Sequence, residues 1–201
     1  MNKNHLRRLG IGAGIVGLLV FLLTGFVCAR SSSLLDARLE TDVVTPLPAA
    51  DLARGEHLVR DVLACTSCHG DDLGGGIVSE DGAMGRVVAS NLTRGSGGGA
   101  LTAAQWEHAI RFGLGRDGRP LVIMPSDQYT AMSAEDLASV IAYLDTVPPV
   151  DRELAPTALG PVGRALVAKD RQHFLWRTFA TGVNNRWISL NNDVTRNWHR
   201  K

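Results

Sequence analysis

Residues 64–70 read ACTSCHG, and this stretch decides the fold because two cysteines three positions apart are followed directly by a histidine. Cys65, Cys68 and His69 are compatible with four kinds of site: a disulfide, a zinc site, a redox dithiol or a covalent haem anchor. These sites imply different functions, so the rest of the chain has to distinguish among them.

The surrounding sequence favours haem attachment over the other three sites. A zinc site usually needs a second pair of ligands, whereas His57 and His108 are isolated. A redox dithiol normally lies beside a βαβ pattern, which the sequence lacks. A disulfide leaves His69 without a role, whereas two thioether bonds and an iron-ligating histidine account for all three motif residues. We therefore predict one covalently attached haem c.

A six-coordinate iron needs a second axial ligand, for which the sequence offers five candidates: Met84, Met124, Met132, His57 and His108. Met124 is favoured because Pro125 follows it and prevents helix formation at that point. Met132 has a structural explanation, since it precedes the expected helix cap Ser133 and can pack against Leu137. A core-filling role for Met124 is the alternative.

The central segment is predicted to be all-α, with helices at 51–64, 102–114 and 134–146. Thr102 and Gln105 form a capping box, and Ser133 is a suitable N-cap for the last helix. The glycine-rich residues 70–100 show no alternating pattern and are expected to form a long irregular loop. Three short helices around such a loop bury little apolar surface, so a large flat cofactor is expected at the centre.

The chain begins with basic residues, including Arg7 and Arg8, followed by the uncharged residues 9–27. A helix of this length spans about 28 Å, close to the roughly 30 Å of a hydrocarbon core. We expect residues 1–30 to form a retained membrane anchor with a cytoplasmic N-terminus. Cleavage near Ala29, which would release a soluble protein, is the alternative. Residues 31–50 are predicted to be a linker.

Charge is unevenly distributed along the chain. Residues 51–150 carry seven Lys/Arg and thirteen Asp/Glu, a net charge of −6, while residues 151–201 carry nine and four, a net charge of +5. The acidic central segment excludes a nucleic-acid-binding domain, because it lacks the basic patch that phosphate contacts need. The basic tail, with Trp176, Trp187 and Trp198, has no assigned role. A disordered or adventitious extension is the favoured interpretation, and contact with a membrane surface or a partner is the alternative.

Residues 51–150 resemble class I c-type cytochromes, especially the monohaem modules of membrane-bound bacterial dehydrogenase complexes. The matching stretches are ACTSCHG at 64–70, NLT at 91–93, DGRPL at 117–121, MPS at 124–126 and MSAEDLASVIAYLDTVPPV at 132–150. The resemblance covers half of the chain, and the remaining residues 151–201 match nothing in it.

The resemblance implies a small all-α cytochrome c fold of three main helices and long loops, following an N-terminal transmembrane helix. It implies that Cys65 and Cys68 carry the haem, with His69 as proximal and Met124 as distal ligand. The first and last helices are expected to cross at Gly55. Residues expected to line the haem or to hydrogen-bond near it are Asn91, Trp106 and Tyr129.

The implied function is one-electron transfer by a carrier that is not itself an enzyme. Expected donors are a dehydrogenase or a quinol-oxidising complex, and expected acceptors are an oxidase or a soluble carrier. The haem domain would face the periplasm from the bacterial inner membrane. A haem enzyme or gas or redox sensor with a displaceable distal ligand is the alternative function.

Overall fold

The computed structural model describes residues 3–169 and contains seven α-helices, one π-helical segment and three short strands in that range. The helices are α1 (Lys3–Leu35), α2 (Leu52–His57), α3 (Thr66–His69), α4 (Ala103–Phe112), α5 (Ser126–Tyr129), α6 (Ala134–Thr146) and α7 (Pro161–Lys169). The π-helical segment is Leu58–Val62, and the strands are β1 (Gly76–Asp81), β2 (Gly85–Ala89) and β3 (Ala158–Leu159). Trp176, Trp187 and Trp198 of the predicted tail lie outside the described residues.

The structure confirms the all-α prediction only in part, because it contains an antiparallel sheet in the order β1-β2-β3, and strands β1 and β2 lie within the predicted loop 70–100. The hairpin between β1 and β2 turns at Asp81, whose carboxylate accepts hydrogen bonds from the N–H groups of Ala83 and Met84. Gly85 then adopts a φ of 86°, a conformation that glycine tolerates without strain. A register shift between Ile77 and Ser79 interrupts the alternation of side chains along β1.

The helices that surround the site form a core in which α2 crosses α6. A Cβ added at Gly55 would overlap the carbonyl oxygen of Ser139 and come within 2.9 Å of the Cβ of Tyr143. The absence of a side chain at Gly55 therefore permits the close crossing that the sequence resemblance implied. The buried members of this core are Leu58, Val59, Leu73, Trp106, Ile110, Leu137, Val140, Ile141, Tyr143, Leu144 and Val147.

The helix caps predicted from the sequence are confirmed. Thr102 accepts the N–H of Gln105, and the side chain of Gln105 accepts the N–H of Thr102. Ser133 accepts the N–H of Asp136 at the start of α6. These caps satisfy free backbone groups at the helix starts and set where each helix begins.

Helix α1 contains a candidate membrane span, Gly10–Leu35, with a mean hydropathy of 2.5. It is the single helix of this kind within residues 3–169.

The extended segment after α1 lies along the helical core. The N–H of Leu39 donates to Gly118, and the backbone N–H and hydroxyl of Thr45 both donate to the buried carboxylate of Glu107. Residues 36–50 are therefore attached to the domain over much of their length.

Candidate functional site

The cysteine motif folds as a single helical turn next to a cavity. Cys65 precedes α3, and Cys68 lies three residues later, so both thiols lie on the same side of the turn. Both thiols are free, and burial raises the pKa of the Cys65 thiol to about 11. A high thiol pKa is the opposite of what a nucleophilic redox cysteine needs. Cys65 lines the cavity, and Cys68 is exposed.

His69, at the end of α3, is held in one orientation by the main chain. Its Nδ1 lies 2.7 Å from the carbonyl oxygen of Ser90. Because a carbonyl can only accept, Nδ1 carries the proton and Nε2 keeps a free lone pair. Burial lowers the pKa of His69, which favours the neutral ring that a metal requires.

The cavity has a volume of about 360 Å³ and is lined mainly by apolar groups. On the side of the cysteine motif, the cavity is lined by Cys65, His69 and Ser90. On the side of α5, it is lined by Met124 and Tyr129. Helices α4 and α6 complete the walls through Trp106, Ala109, Ile110, Val140 and Leu144. The cavity thus lies where the sequence analysis placed a large apolar cofactor.

Of the five candidate distal ligands, all within the described residues, Met124 alone lines the cavity. Met84 lies in the β1–β2 hairpin, and Met132 packs against the core without reaching the cavity wall. His57 is exposed and pairs with Asp61. His108 is hydrogen-bonded through Nε2 to the carbonyl of Val43.

Trp106 brings a polar atom into the apolar wall. The residue is 4% exposed, and its Nε1 is buried with no hydrogen-bond acceptor among the described residues. A buried donor without an acceptor is costly, so a ligand that carries an acceptor is expected to lie beside it. A haem carboxylate is such an acceptor.

Tyr129 and Asn91 also line the cavity, but their polar groups bind protein atoms. The hydroxyl of Tyr129 donates to the carbonyl of Leu63 at 2.9 Å. The amide nitrogen of Asn91 donates to the carbonyls of Ser96 and Val150, at 3.1 Å and 2.7 Å. Asn91 therefore orders the loop behind the cavity, whereas Tyr129 joins its two sides.

Sequence reasoning missed two participants in the site. Ser90 orients His69 through its carbonyl group, and a backbone contact leaves no trace in the residue type. Arg116 lines the cavity and donates to the carbonyls of Gly98 and Gly99. Arg116 lies outside the glycine-rich residues 70–100 in the sequence, so no local signal pointed to it.

The residues present fit a covalently bound haem. The free thiol of Cys65, the neutral imidazole of His69 and the thioether of Met124 belong to residues that line the cavity. The second free thiol, that of Cys68, is exposed on the same helical turn as His69. Trp106, whose indole N–H has no acceptor among the described residues, lines the same cavity. Among the described residues there is no cluster of three or more His, Cys, Asp or Glu side chains that would hold a bare metal ion.

Comparison with known proteins agrees with this geometry. Residues 50–144 match the family described as cytochrome c oxidase, cbb3-type, subunit III. The chain is 34% identical over 127 residues to the fructose dehydrogenase cytochrome subunit of Gluconobacter japonicus, covering 57% of this chain and 26% of that protein.

Two further relatives are alcohol dehydrogenase (quinone) cytochrome c subunits, from Gluconacetobacter polyoxogenes and Komagataeibacter europaeus. Each is 33% identical over 105 residues, which is 48% of this chain and 22% of the relative. The chain thus spans about a quarter of the length of the curated relatives it matches. Residues 50–144 are a c-type cytochrome domain, and this domain carries one covalently bound haem c.

Proposed function

We propose that the protein is a one-electron carrier in which Cys65 and Cys68 attach the haem, His69 is the proximal ligand and Met124 is the distal ligand. The observation that carries the proposal is the shared cavity, because His69 and Met124 line the same space. With both axial positions filled by the protein, haem c supplies a one-electron couple without an open coordination position.

The chain's own residues hold these ligands in place. The Ser90 carbonyl fixes the tautomer of His69, so that Nε2 points away from the hydrogen bond. On the other side, the N–H of Ser126 donates to the Met124 carbonyl at 2.9 Å, and the Ser126 hydroxyl donates to the Ala109 carbonyl at 3.0 Å. The Met124 segment is therefore attached to α4 through the fully buried Ser126.

Two exposed apolar side chains precede cavity-lining residues in the chain and are the proposed contacts for redox partners. Val62 is 57% exposed and precedes the cavity-lining Leu63, while Ile123 is 40% exposed and precedes Met124. Apolar side chains at the cofactor edge fit the apolar core of a protein–protein interface, which would bring the two redox centres close together. Docking here would place a partner beside both sides of the cavity.

We further propose that α1 is retained as an anchor and that the haem domain faces the periplasm. The basic residues before the apolar run favour this orientation, and the apolar run is long for a cleaved signal. The relatives' names describe cytochrome subunits of fructose and alcohol dehydrogenases, which supports a dehydrogenase as the electron donor. An oxidase or a soluble carrier would be the acceptor.

The ligand assignment is tested by Met124→Ala in the holoprotein, with Met84→Ala as the matched control. The Met124 variant should lose the sulfur-to-iron charge-transfer band of the ferric protein and retain covalent haem. The Met84 variant should keep the band. A wild-type protein that lacks the band and binds carbon monoxide rapidly would instead favour the haem enzyme or sensor.

Partner identity is tested by purifying the intact complex from membranes in mild detergent. A dehydrogenase subunit that co-purifies and reduces the haem on addition of its substrate would support the proposed donor. A cytochrome that is reduced by quinol alone, without any dehydrogenase subunit, would contradict it.

A further inference from the structure

The end of the membrane helix does not lead into a free tether, because α7 packs against it. The Arg30 Nε donates to the carbonyl of Ala168 at 2.8 Å. Arg164 donates through Nη1 to the hydroxyls of Ser31 and Ser32, at 3.3 Å and 3.1 Å, and Ser31 is fully buried. These contacts join residues more than 130 positions apart in sequence.

Helix α7 is also bound to the haem domain. The N–H of Gly160 donates to the Met84 carbonyl at 2.9 Å, and the N–H of Val162 donates to the Ala83 carbonyl at 3.0 Å. A Cβ added at Gly163 would lie 2.7 Å from the Met84 oxygen, so the helix touches the hairpin turn closely. Helix α7 therefore connects the membrane helix to the sheet of the haem domain.

The position of α7 relative to the bilayer follows from the length of α1. About 20 helical residues cross the hydrocarbon core, and the candidate span starts at Gly10. Arg30, the first charged residue after the apolar run, then lies at the headgroup layer. Because Arg30 bonds to Ala168, the C-terminal end of α7 lies at the same level.

The two faces of α7 differ in composition. Gly163, Val167 and Ala168 are buried. On another face, Val162, Ala165 and Lys169 are exposed. Helix α7 itself contains Arg164 and Lys169 and no acidic residue. Carboxylates on described segments that adjoin α7 or α1 include Asp81, which binds the N–H groups of its own turn, and Asp36, which lies 3.9 Å from Arg119. Asp170 follows Lys169 in the sequence.

We propose that α7 is a second membrane contact, in which Arg30, Arg164 and Lys169 bind the phosphates of anionic lipid headgroups. This proposal rests on the retained anchor proposed above. The surface is continuous with the membrane span, and its basic charge complements anionic lipid. Two attachments to one bilayer, at α1 and at α7, hold the haem domain at one height and in one orientation.

The test measures how fast a water-soluble, membrane-impermeant maleimide reacts with a cysteine placed on the exposed face of α7. The full-length holoprotein carries Cys28→Ser together with Ala165→Cys, and is reconstituted in phosphatidylcholine vesicles with or without phosphatidylglycerol. A second site, Val44→Cys, reports an exposed position on the segment that follows α1. Phosphatidylglycerol should slow labelling at residue 165 several-fold, and labelling at residue 44 should not change.

Charge variants separate lipid binding from simple proximity to the membrane. Adding Arg164→Gln and Lys169→Gln to the protein with Ala165→Cys should restore fast labelling at residue 165 in vesicles with phosphatidylglycerol. Adding Arg164→Lys alone should not. The control pair, Arg54→Gln and Arg94→Gln, removes two exposed charges from the haem domain and should leave the protection intact. High salt should weaken the protection, because it screens exposed charges.

The proposal is overturned if membrane-bound, coloured holoprotein shows equal labelling at residue 165 in both vesicle compositions. Failure of the anchor gives a different result. A mature protein whose mass lacks residues 1–29 and which does not sediment with vesicles would overturn both the anchor and the lipid contact. A protein that stays in the vesicles without haem would overturn the proposed electron transfer. Its labelling at residue 165 would then be measured against a matched protein without Ala165→Cys, because Cys65 and Cys68 would be free thiols.

Discussion

The hydroxyl of Tyr129 donates to the carbonyl oxygen of Leu63 at 2.9 Å, which joins the segment after Met124 to the segment before Cys65. This hydrogen bond spans 66 positions in sequence and connects the two sides of the cavity. It gives a way to test whether the proposed distal ligand is held by the protein or by the haem alone.

Tyr129→Phe should weaken the attachment of the Met124 segment. Loss of one partly buried hydrogen bond costs about 1 kcal/mol, and the charge-transfer band should disappear at a lower temperature than in the wild type. Tyr143→Phe is the control, since the Tyr143 hydroxyl accepts from Arg60 and Tyr143 does not line the cavity. Equal thermal midpoints of the band in both variants would show that Tyr129 has no specific role at the ligand.

Ser126→Ala tests the same segment from the α4 side. The Ser126 hydroxyl is fully buried and donates to Ala109, so its loss should lower the stability of Met124 ligation by about 1 kcal/mol. The readout is the denaturant concentration at which the charge-transfer band is lost. Ser139→Ala, at another buried serine, should lower global stability and leave the band intact until the protein unfolds.

Gly55→Ala tests the crossing of α2 and α6. The added methyl group would overlap backbone of α6, and overpacking of this kind costs about 1–3 kcal/mol. Gly82→Ala is the matched control, because a Cβ there meets no atom within 4 Å. Chemical denaturation of both holoproteins gives the comparison, and a Gly55 variant as stable as the Gly82 variant would contradict the described packing.

Arg152→Gln tests a contact between the start of the predicted tail and the haem-binding segment, residues 65–72, in which Arg152 pairs with Asp72. The Arg152 guanidinium holds the pKa of Asp72 below its usual range, with help from the N–H of Gly74. A carboxyl with a depressed pKa contributes stability above its unfolded pKa, about 3.9 for aspartate, and loses it as the pH falls through its folded pKa. The wild type should therefore exceed the variant in stability at neutral pH, and the difference should shrink in acid.

The control for this pair is Arg94→Gln, which removes an exposed ion pair with Asp145 away from the haem-binding segment. Unfolding by denaturant, measured from neutral to acidic pH, gives the stability of each variant. A difference between wild type and the Arg152 variant that grows as the pH falls would contradict the predicted linkage.

Deletion of residues 160–201 should leave the haem spectrum unchanged. The deletion removes α7 but keeps the contacts of Arg152 with Asp72 and of Thr157 with Val88. Absorbance spectra of the ferric and ferrous truncated protein check this expectation. Loss of the charge-transfer band on deletion would mean that the domain extends past residue 160.

Features with local causes could be predicted from the sequence. The capping box of Thr102 and Gln105 and the N-cap Ser133 each depend on residues within one helical turn, so α4 and α6 begin where expected. The motif at residues 64–70 predicted the haem c of this domain for the same reason, since spacing and chemistry are both visible in seven residues.

Features that depend on distant residues were not predicted. The bulge between Ile77 and Ser79 hides the alternation of β1, and β3 pairs with β2 from some 70 residues away. Asp81 and Gly82 were an available signal, because Asp-Gly pairs are common in tight hairpins. Thr45 binds Glu107 across 62 positions, so the attachment of the predicted linker had no local signature.

Covalent attachment of haem through Cys65 and Cys68 is tested most directly by denaturing the protein purified from a host with cytochrome c maturation and extracting it with acidic organic solvent. We predict one haem per chain that stays with the polypeptide, and its release when both cysteines are replaced by alanine. Wild-type protein that is folded and colourless, or that gives up its haem to the solvent, would contradict the account.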